Sequence, residues 1–359
     1  MKIECDGIVH NPLGGASYMF EKEIIPYILK QYTKNTIKIS VGAQPNSSPH
    51  FGTLETIALS FCLASNIMKY DKNKKVIILY EIIDSAPSET SVINGIKYQK
   101  SLKYTGKMNE FLGEYLEILE YYKNLTGITY EIRFQKEFNS QPEISGIIKK
   151  IINNREYISS RLDPKYGKIR IRMSCPKCGL TDKNSILNKY NDNKIIFYCP
   201  VHGEYSANLD IDTSLLEYNS PYRNLIRCLY YTSVNNNSDY DYQILRVTGS
   251  DYAGFYQEEM RYKIASYLGY PAHTLSMIFY APLVLDWSGA KMSKSLYVKE
   301  GAYSDMPVAF INYKYLKEKY GLNGLKKLYN IVSNWFEKPY MLFRHYTIYY
   351  FIKEFEKNE

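Results

Sequence analysis

Ile37, Ile39 and Val41 alternate with polar residues, the period of a half-buried strand, so Thr36–Gly42 is expected to be extended. Leu54, Ile57, Ala58, Phe61 and Met68 then repeat at helical spacing. Between them lies a polar turn, Gly42 to Thr53, rich in Gly, Pro and Ser. Pro49 suits a first helical turn, with Ser47 or Ser48 as cap. Lys75–Ile83 is a continuous apolar run, as in a strand buried on both faces of a parallel sheet. It ends in the polar loop Asp84-Ser85-Ala86-Pro87. Residues 108–126 read as a helix and Ile128–Phe134 as a third strand. A helix is also expected from Tyr18 to Tyr32, interrupted by Pro26, after Gly14-Gly15.

This rhythm is the first half of an α/β, Rossmann-like doubly wound parallel sheet. It breaks between about 140 and 225, which reads as an insertion. It resumes with a strand at Tyr242–Gly249, a helix at Phe255–Leu268 closed by Gly269, and a strand region at Thr274–Leu285. Asp286-Trp287-Ser288-Gly289 makes a turn, and from about Met306 the chain reads as helical. The expected division is 1–139 and 226–300 for the two halves of the catalytic domain, 140–225 for the insertion, and 301–359 for a short C-terminal helical region.

Composition adds little. The chain has 359 residues, 45% hydrophobic and 23% charged, an ordinary globular balance with room for two or three domains. Net charge of +8 permits an anionic partner without requiring one. The 38 tyrosines, with frequent Lys, Asn and Ile, fit coding bias better than an RNA-stacking surface. No signal peptide or membrane-spanning run is read, so a cytoplasmic protein is expected.

Cysteine usage changes the picture. Cys175-Pro176-Lys177-Cys178 and Cys199-Pro200-Val201-His202 are two knuckles twenty residues apart, the spacing of a zinc ribbon. Gly179 and Gly203 follow them and allow the tight turns. Four protein ligands close a tetrahedron, so Zn²⁺ there is expected to be structural. Cys5, Cys62 and Cys228 read as packing positions.

The strand–turn–helix unit also carries chemistry. A helix N-terminus offers unpaired N–H groups and partial positive charge to phosphate. His50 sits there as a donor, and Gly52 allows a flat base to approach the backbone. Far downstream, Lys291-Met292-Ser293-Lys294-Ser295 sets two ammonium groups and two hydroxyls where a departing pyrophosphate could be held.

Together these residues resemble the class I aminoacyl-tRNA synthetases. Pro49-His50-Phe51-Gly52-Thr53 is similar to their His-Ile-Gly-His box, and Lys291–Ser295 matches Lys-Met-Ser-Lys-Ser. Within the class, the box after a Gly/Pro/Ser turn, the metal-type insertion and Gly249-Ser250-Asp251 most resemble class I lysyl-tRNA synthetases. The likeness spans roughly residues 36–300. It implies an ATP-dependent ligase that adenylates an amino acid, lysine first, and passes it to tRNA. It implies ATP with Mg²⁺ as cofactor. His50 and Lys291 would contact phosphates, Lys294 would be the more essential cation, and Gly52 would lie under adenine. Gly249 and Asp251 would border the adenosine. Gly42, Pro49, Thr53, Met292, Ser293 and Ser295 complete the expected nucleotide site, and the insertion would help to place the tRNA acceptor end. Asp84 is the candidate partner for a lysine ammonium.

Two departures stand out. Thr53 replaces the second His of the box, which removes a phosphate donor. Only 64 residues follow Ser295, so at most a stub of an anticodon-binding region is expected. The acceptor therefore stays open between tRNA and a peptide, carrier protein or small molecule. A non-catalytic nucleotide- or RNA-binding paralogue, and a nucleotidylyltransferase, are the other readings. Oligomeric state is not legible.

Overall fold

The computed structural model describes residues 8–9, 24–292 and 306–357. The alternating run forms strand β1 (Thr36–Ala43), with Ile37, Ile39 and Val41 buried. Helix α1 (Phe51–Tyr70) follows. The apolar run is β2 (Lys75–Ile82), buried at every residue but the first. Helix α2 (Asn109–Thr126) stops at Gly127, whose φ of 74° is the left-handed conformation that glycine adopts freely, and leads into β3 (Tyr130–Phe134). After a long excursion, helix α3 (Ser220–Asn236) leads to β4 (Tyr242–Gly249), a helical segment over residues 253–265, and β5 (Ile278–Ala281).

These strands form one parallel sheet in the order β5-β4-β1-β2-β3. The chain winds outward from β1 through β2 to β3, then restarts on the other side of β1 with β4. The carboxyl ends of β1 and β4 therefore flank a topological switch point, where open α/β sheets bind ligands. Successive residues of a strand face opposite ways. One face, with Ile39, Ile78, Tyr80 and Leu245, packs on α1. The other carries Ser40, Glu81 and Arg246 toward α3, where the Ser40 hydroxyl meets the Tyr231 hydroxyl at 2.8 Å.

The C-terminal region is helical, as expected, in α4 (Tyr313–Tyr320), α5 (Asn323–Glu337) and α6 (Ile348–Glu356). It is not appended to the core but completes it. Phe51 opens α1 among the rings of Phe310, Phe351 and Phe355, at 5.4, 5.0 and 6.3 Å. Trp335 is fully buried and stacks on Tyr346 at 4.4 Å. His345–Thr347 forms a strand between Val284–Leu285 and Ile8–Val9. Sandwiched this way, α1 is apolar nearly all round. It is long and apolar enough to cross a membrane by composition, a run passed over in the sequence, but twelve of its residues are buried in this core.

Three local expectations are corrected. His50, not Ser47 or Ser48, is the N-cap of α1, and Pro49 precedes it. Ser48 is engaged elsewhere, donating to Glu114 at 2.5 Å. The strand region Thr274–Leu285 divides into Ile278–Ala281 and Val284–Leu285, because Pro282 has no N–H to donate to a ladder. The stretch after Asp84 is not only loop: Pro87–Ile93 and Ile96–Ser101 pair as a hairpin around Asn94-Gly95, both with positive φ. Gly14-Gly15 and the start of the helix expected from Tyr18 lie outside the described residues, and the described part of that helix is Ile24–Gln31.

The excursion between β3 and α3 holds helices Pro142–Asn153 and Arg155–Leu162 and several short antiparallel strands. Its apolar residues share one buried cluster with α3, Ile244 and Ile278, so it packs directly on the sheet.

Candidate functional site

A cleft of about 950 Å³ opens at the switch point. Its wall includes Gly42, His50, Gly52, Thr53, Gly249, Asp251, Lys291 and Met292, so both halves of the sequence-derived nucleotide site meet there. Pro49 is not on the wall; its carbonyl accepts the Tyr313 N–H at 2.8 Å and fixes the turn. Ser293, Lys294 and Ser295 lie outside the described residues.

The start of α1 is held from both sides. Thr53 and Leu54 donate to the His50 carbonyl at 2.8 and 3.2 Å, while Phe51 donates to Ile311. Gly52 makes room for the imidazole: a Cβ there would lie 3.2 Å from His50 Cε1. Gly42 is tighter still, since a Cβ would stand 2.5 Å from the Glu81 carbonyl oxygen, so β1 and β2 can close up only over glycine. A Cβ on Gly249 would press on Asp251 Oδ1 at 3.0 Å.

Lys291 is delivered by a tight return. Asp286 Oδ1 accepts from Ser288 N, Ser288 Oγ and Ala290 N, at 2.9, 2.7 and 3.1 Å. Gly289 turns at φ 82°, Lys291 bridges Leu285, and Met292 donates to the Val284 carbonyl. The ammonium then meets Asp251 Oδ2 at 2.5 Å.

Sequence reasoning missed the deeper wall. Arg223, Arg227 and Arg246 line the cleft and are all buried. Glu81, also on the wall, accepts from Arg133 Nη2 at 2.6 Å and from the Tyr231 hydroxyl at 2.6 Å. Ser40 donates to it at 3.1 Å, and Arg227 Nε makes a charge contact at 2.9 Å. Burial opposes ionisation of Glu81, yet Arg227, Arg133 and Tyr231 together pull its pKa down to about 2. The signal in the sequence was Arg246 amid the apolar run of β4, since a charge facing inward from a parallel strand needs a purpose. Tyr256, where the helix after β4 widens into π-helical turns, stacks on Tyr252 at 5.4 Å and bonds Asn224 at 2.5 Å.

Asp84 is not on the wall. It is buried one residue past Ile83, which is on the wall, and its ionic neighbours are Lys103 and Glu217. Burial raises its pKa, with Lys103 working against that rise. The sequence locates the strand end correctly, but the carboxylate belongs to the joint between sheet and excursion.

The second cluster is Cys175, Cys178, Cys199 and His202, whose ligand atoms lie within 4.8 Å of one another. Cys178 Sγ is 3.5 Å from Cys199 Sγ, and His202 Nδ1 is 3.6 Å from both Cys175 Sγ and Cys199 Sγ. Tetrahedral zinc with its usual Zn–S and Zn–N bonds sets neighbouring ligands roughly 3.3–3.8 Å apart, so the residues fit that ion. Gly179 and Gly203 turn at φ 74° and 77°. Thr181–Asp182, just past the first knuckle, pairs with the 96–101 strand of the hairpin, whose neighbours Pro87, Ser88 and Leu102 line the cleft. The Cys/His module is thus joined to the cleft rim.

Fold and site together define an α/β protein with a ligand cleft at the switch point of a parallel sheet and a Cys₃His cluster beside it. No family model matches the chain, and no curated protein matches it. Among solved structures it is similar to a putative arginyl-tRNA synthetase from Campylobacter jejuni, at 11% identity over 88% of this chain and 67% of that one, TM-score 0.37. It is also similar to a glutamate tRNA ligase from Elizabethkingia meningosepticum, at 13% identity over 86% and 66%, TM-score 0.38. A glutamate-tRNA synthetase from Elizabethkingia anophelis gives 12% over 87% and 68%, also 0.38. The chain spans about two thirds of the length of each.

Proposed function

We propose that this protein is an ATP-dependent ligase that activates an amino acid as its adenylate and transfers it to an acceptor, tRNA or another nucleophile. The observation that carries this reading is the meeting of His50, at the start of α1, with Lys291, after β5, on one cleft between β1 and β4. The amino-acid carboxylate forms the new P–O bond at the α-phosphorus of ATP. The bond to the bridging oxygen breaks, and pyrophosphate leaves with its electron pair. No protein nucleophile or general base is required, so the work is positioning and charge stabilisation. His50 donates to a phosphate oxygen, and Lys291 leaves Asp251 for the pyrophosphate. Mg²⁺ bound with the ATP would neutralise part of its charge. Asp251, once released, is suited to the ribose hydroxyls.

Cys175, Cys178, Cys199 and His202 would hold a Zn²⁺ that keeps the module at the cleft rim in shape, with no part in the chemistry. Lysine as the activated amino acid rests on the sequence resemblance alone, because Asp84 stands off the wall and Glu81 is fully engaged by arginines. The test is amino-acid-dependent exchange of pyrophosphate into ATP, scanned over all amino acids with and without total tRNA. Exchange in either condition is expected, and its absence in both would refute the ligase. Charging of total tRNA in the same reactions separates a tRNA acceptor from another one.

A further inference from the structure

The deep wall of the cleft is short of negative charge. Arg223 and Arg227 stand one helical turn apart on α3, and Arg246 reaches toward them from β4; each is more than nine-tenths buried. Three carboxylates share the wall with them. Asp251 holds Lys291, Glu110 is exposed at the start of α2, and Glu81 is divided between Arg227 and Arg133. Arg246 donates to Asn224 Oδ1 at 2.6 Å and lies over the Tyr256 ring. Arg223 donates one 3.4 Å bond to the Tyr218 carbonyl, and its Nε has no partner. It has no carboxylate partner among the described residues. Burial, then the neighbouring guanidinium of Arg227, pushes its pKa down to about 9. A buried cation is held only when it is paired, and here the chain itself does not supply the pair.

Strand geometry assigns this wall to one reactant. The start of α1, with His50, belongs to the sheet face of Ile37, Ile39 and Val41. Ser40, Glu81 and Arg246 belong to the other face. A triphosphate on α1 leaves the guanidinium group to the acyl donor. The donor's α-carboxylate must face the α-phosphorus, so it is not the anion that neutralises Arg223. A side-chain ammonium would meet like charge, and an amide would leave the guanidinium uncompensated.

We infer that the acyl donor is an acidic amino acid, aspartate or glutamate, whose side-chain carboxylate is gripped by Arg223 with Arg246 and Arg227 beside it. This rests on the reading of the protein as an amino-acid-activating ligase. A guanidinium fork matches a carboxylate in two parallel hydrogen bonds, which supplies specificity as well as charge.

Calorimetric titration of the full chain tests it, with aspartate, glutamate, asparagine, glutamine, lysine and inorganic phosphate as separate ligands. Aspartate or glutamate is expected to bind at least about tenfold more tightly than its amide and than lysine, the scale of a charge-assisted hydrogen bond. R223M should lose that preference while binding a non-hydrolysable ATP analogue as the parent does. Its melting temperature should not fall, because an apolar side chain of similar volume replaces an unpaired buried cation. Lysine or a neutral amino acid binding as tightly as the acids overturns the proposal. So does inorganic phosphate binding more tightly than either acid, or R223M losing the ATP analogue instead, since the wall would then be a phosphate site. Should R223M not fold, the selectivity of the parent protein decides. Pyrophosphate exchange run in parallel keeps the two readings apart: acid binding without exchange removes the ligase and leaves the subsite, whereas exchange driven by lysine removes the subsite and leaves the ligase.

Discussion

Lys291 Nζ lies 2.5 Å from Asp251 Oδ2, so a residue after β5 and a residue after β4 are latched across the mouth of the cleft. The lysine side chain is about half exposed and the aspartate about one-fifth. Pairs of this kind contribute at most about 1 kcal/mol to stability. Their position matters more, because the same two groups are the proposed contacts for pyrophosphate and ribose. K291M should therefore leave thermal unfolding almost unchanged while slowing pyrophosphate exchange by about 10²-fold, the usual scale for removing one transition-state charge contact. D251N should instead raise the KM for ATP more than it lowers kcat. A K291M protein with parental exchange would remove the lysine from the chemistry.

His50 and Gly52 make a second coupled pair. The imidazole packs tightly against the place where a Cβ on residue 52 would stand, which is 3.2 Å from Cε1 and 3.3 Å from Nδ1. G52A should push the ring aside without unfolding α1, since alanine favours a helix. Exchange is expected to fall about tenfold in G52A and about 10²-fold in H50A. In the H50A background, G52A should cost almost nothing, because there is no ring left to displace. A double-mutant cycle reads this directly. Additive losses would mean that Gly52 serves the base or the backbone rather than the histidine.

The His50 side of the cleft was legible because its signals are local. Alternation in β1, helical spacing in α1 and the turn between them each follow from a few adjacent residues. The same holds for the two Cys/His knuckles, whose spacing puts four ligands together wherever the module docks. The arginine wall showed in the sequence only at Arg246, because Arg223 and Arg227 at i and i+4 on a helix read as a solvated face. Only the crossing of β4 beside β1 brings Arg246 to them. Asp84 failed for a related reason: a strand end is visible in sequence, but which cavity its side chain meets depends on the excursion that packs there. The hairpin around Asn94-Gly95 carried a strong local signal, an Asn-Gly turn flanked by the Ile93 and Ile96 pair, and it was passed over. The C-terminal helices, read as a remnant, form one layer of the core because Phe51, Trp335 and Phe351 need one another.

Glu81 should show its worth in acid. Its pKa is drawn below the free carboxylate value, from 4.5 to about 2, by Arg227, Arg133 and Tyr231. The unfolded chain therefore takes up the proton first as pH falls. The stabilisation is complete above about pH 5 and is lost progressively between about pH 4.5 and 2. E81Q leaves Arg227 and Arg133 without their anion and should cost about 3 kcal/mol at neutral pH, the usual scale for breaking a buried pair. Unfolding in urea at pH 7 and at pH 3 measures both effects, and the gap between E81Q and parent should shrink at the lower pH. A gap that stays constant would show that the carboxylate has the same pKa folded and unfolded, and a gap that widens would show that it is neutral in the folded protein.

The Cys/His module makes the last prediction, because its metal and its glycine can be tested separately. Four ligand atoms within 4.8 Å of one another, three pairs of them 3.5–3.6 Å apart, fit one zinc per chain, which metal analysis of the purified protein should return. Chelation should lower the melting temperature and expose the 175–208 region to protease, since bound metal is folding energy for a small module. C199S should do the same without chelator. Gly179 is a different constraint. Its φ is 74°, and a Cβ would stand 2.4 Å from the ring of Tyr104, which closes over the knuckle from the end of the hairpin. G179A should therefore destabilise the protein by about 1–3 kcal/mol, through backbone strain and the displaced ring. Its zinc content should remain near one per chain, because all four ligands survive. Y104A should recover the part of the loss that comes from the ring and leave the part that comes from φ. Loss of zinc in G179A would mean instead that the turn, and not the ring contact, sets the ligand geometry.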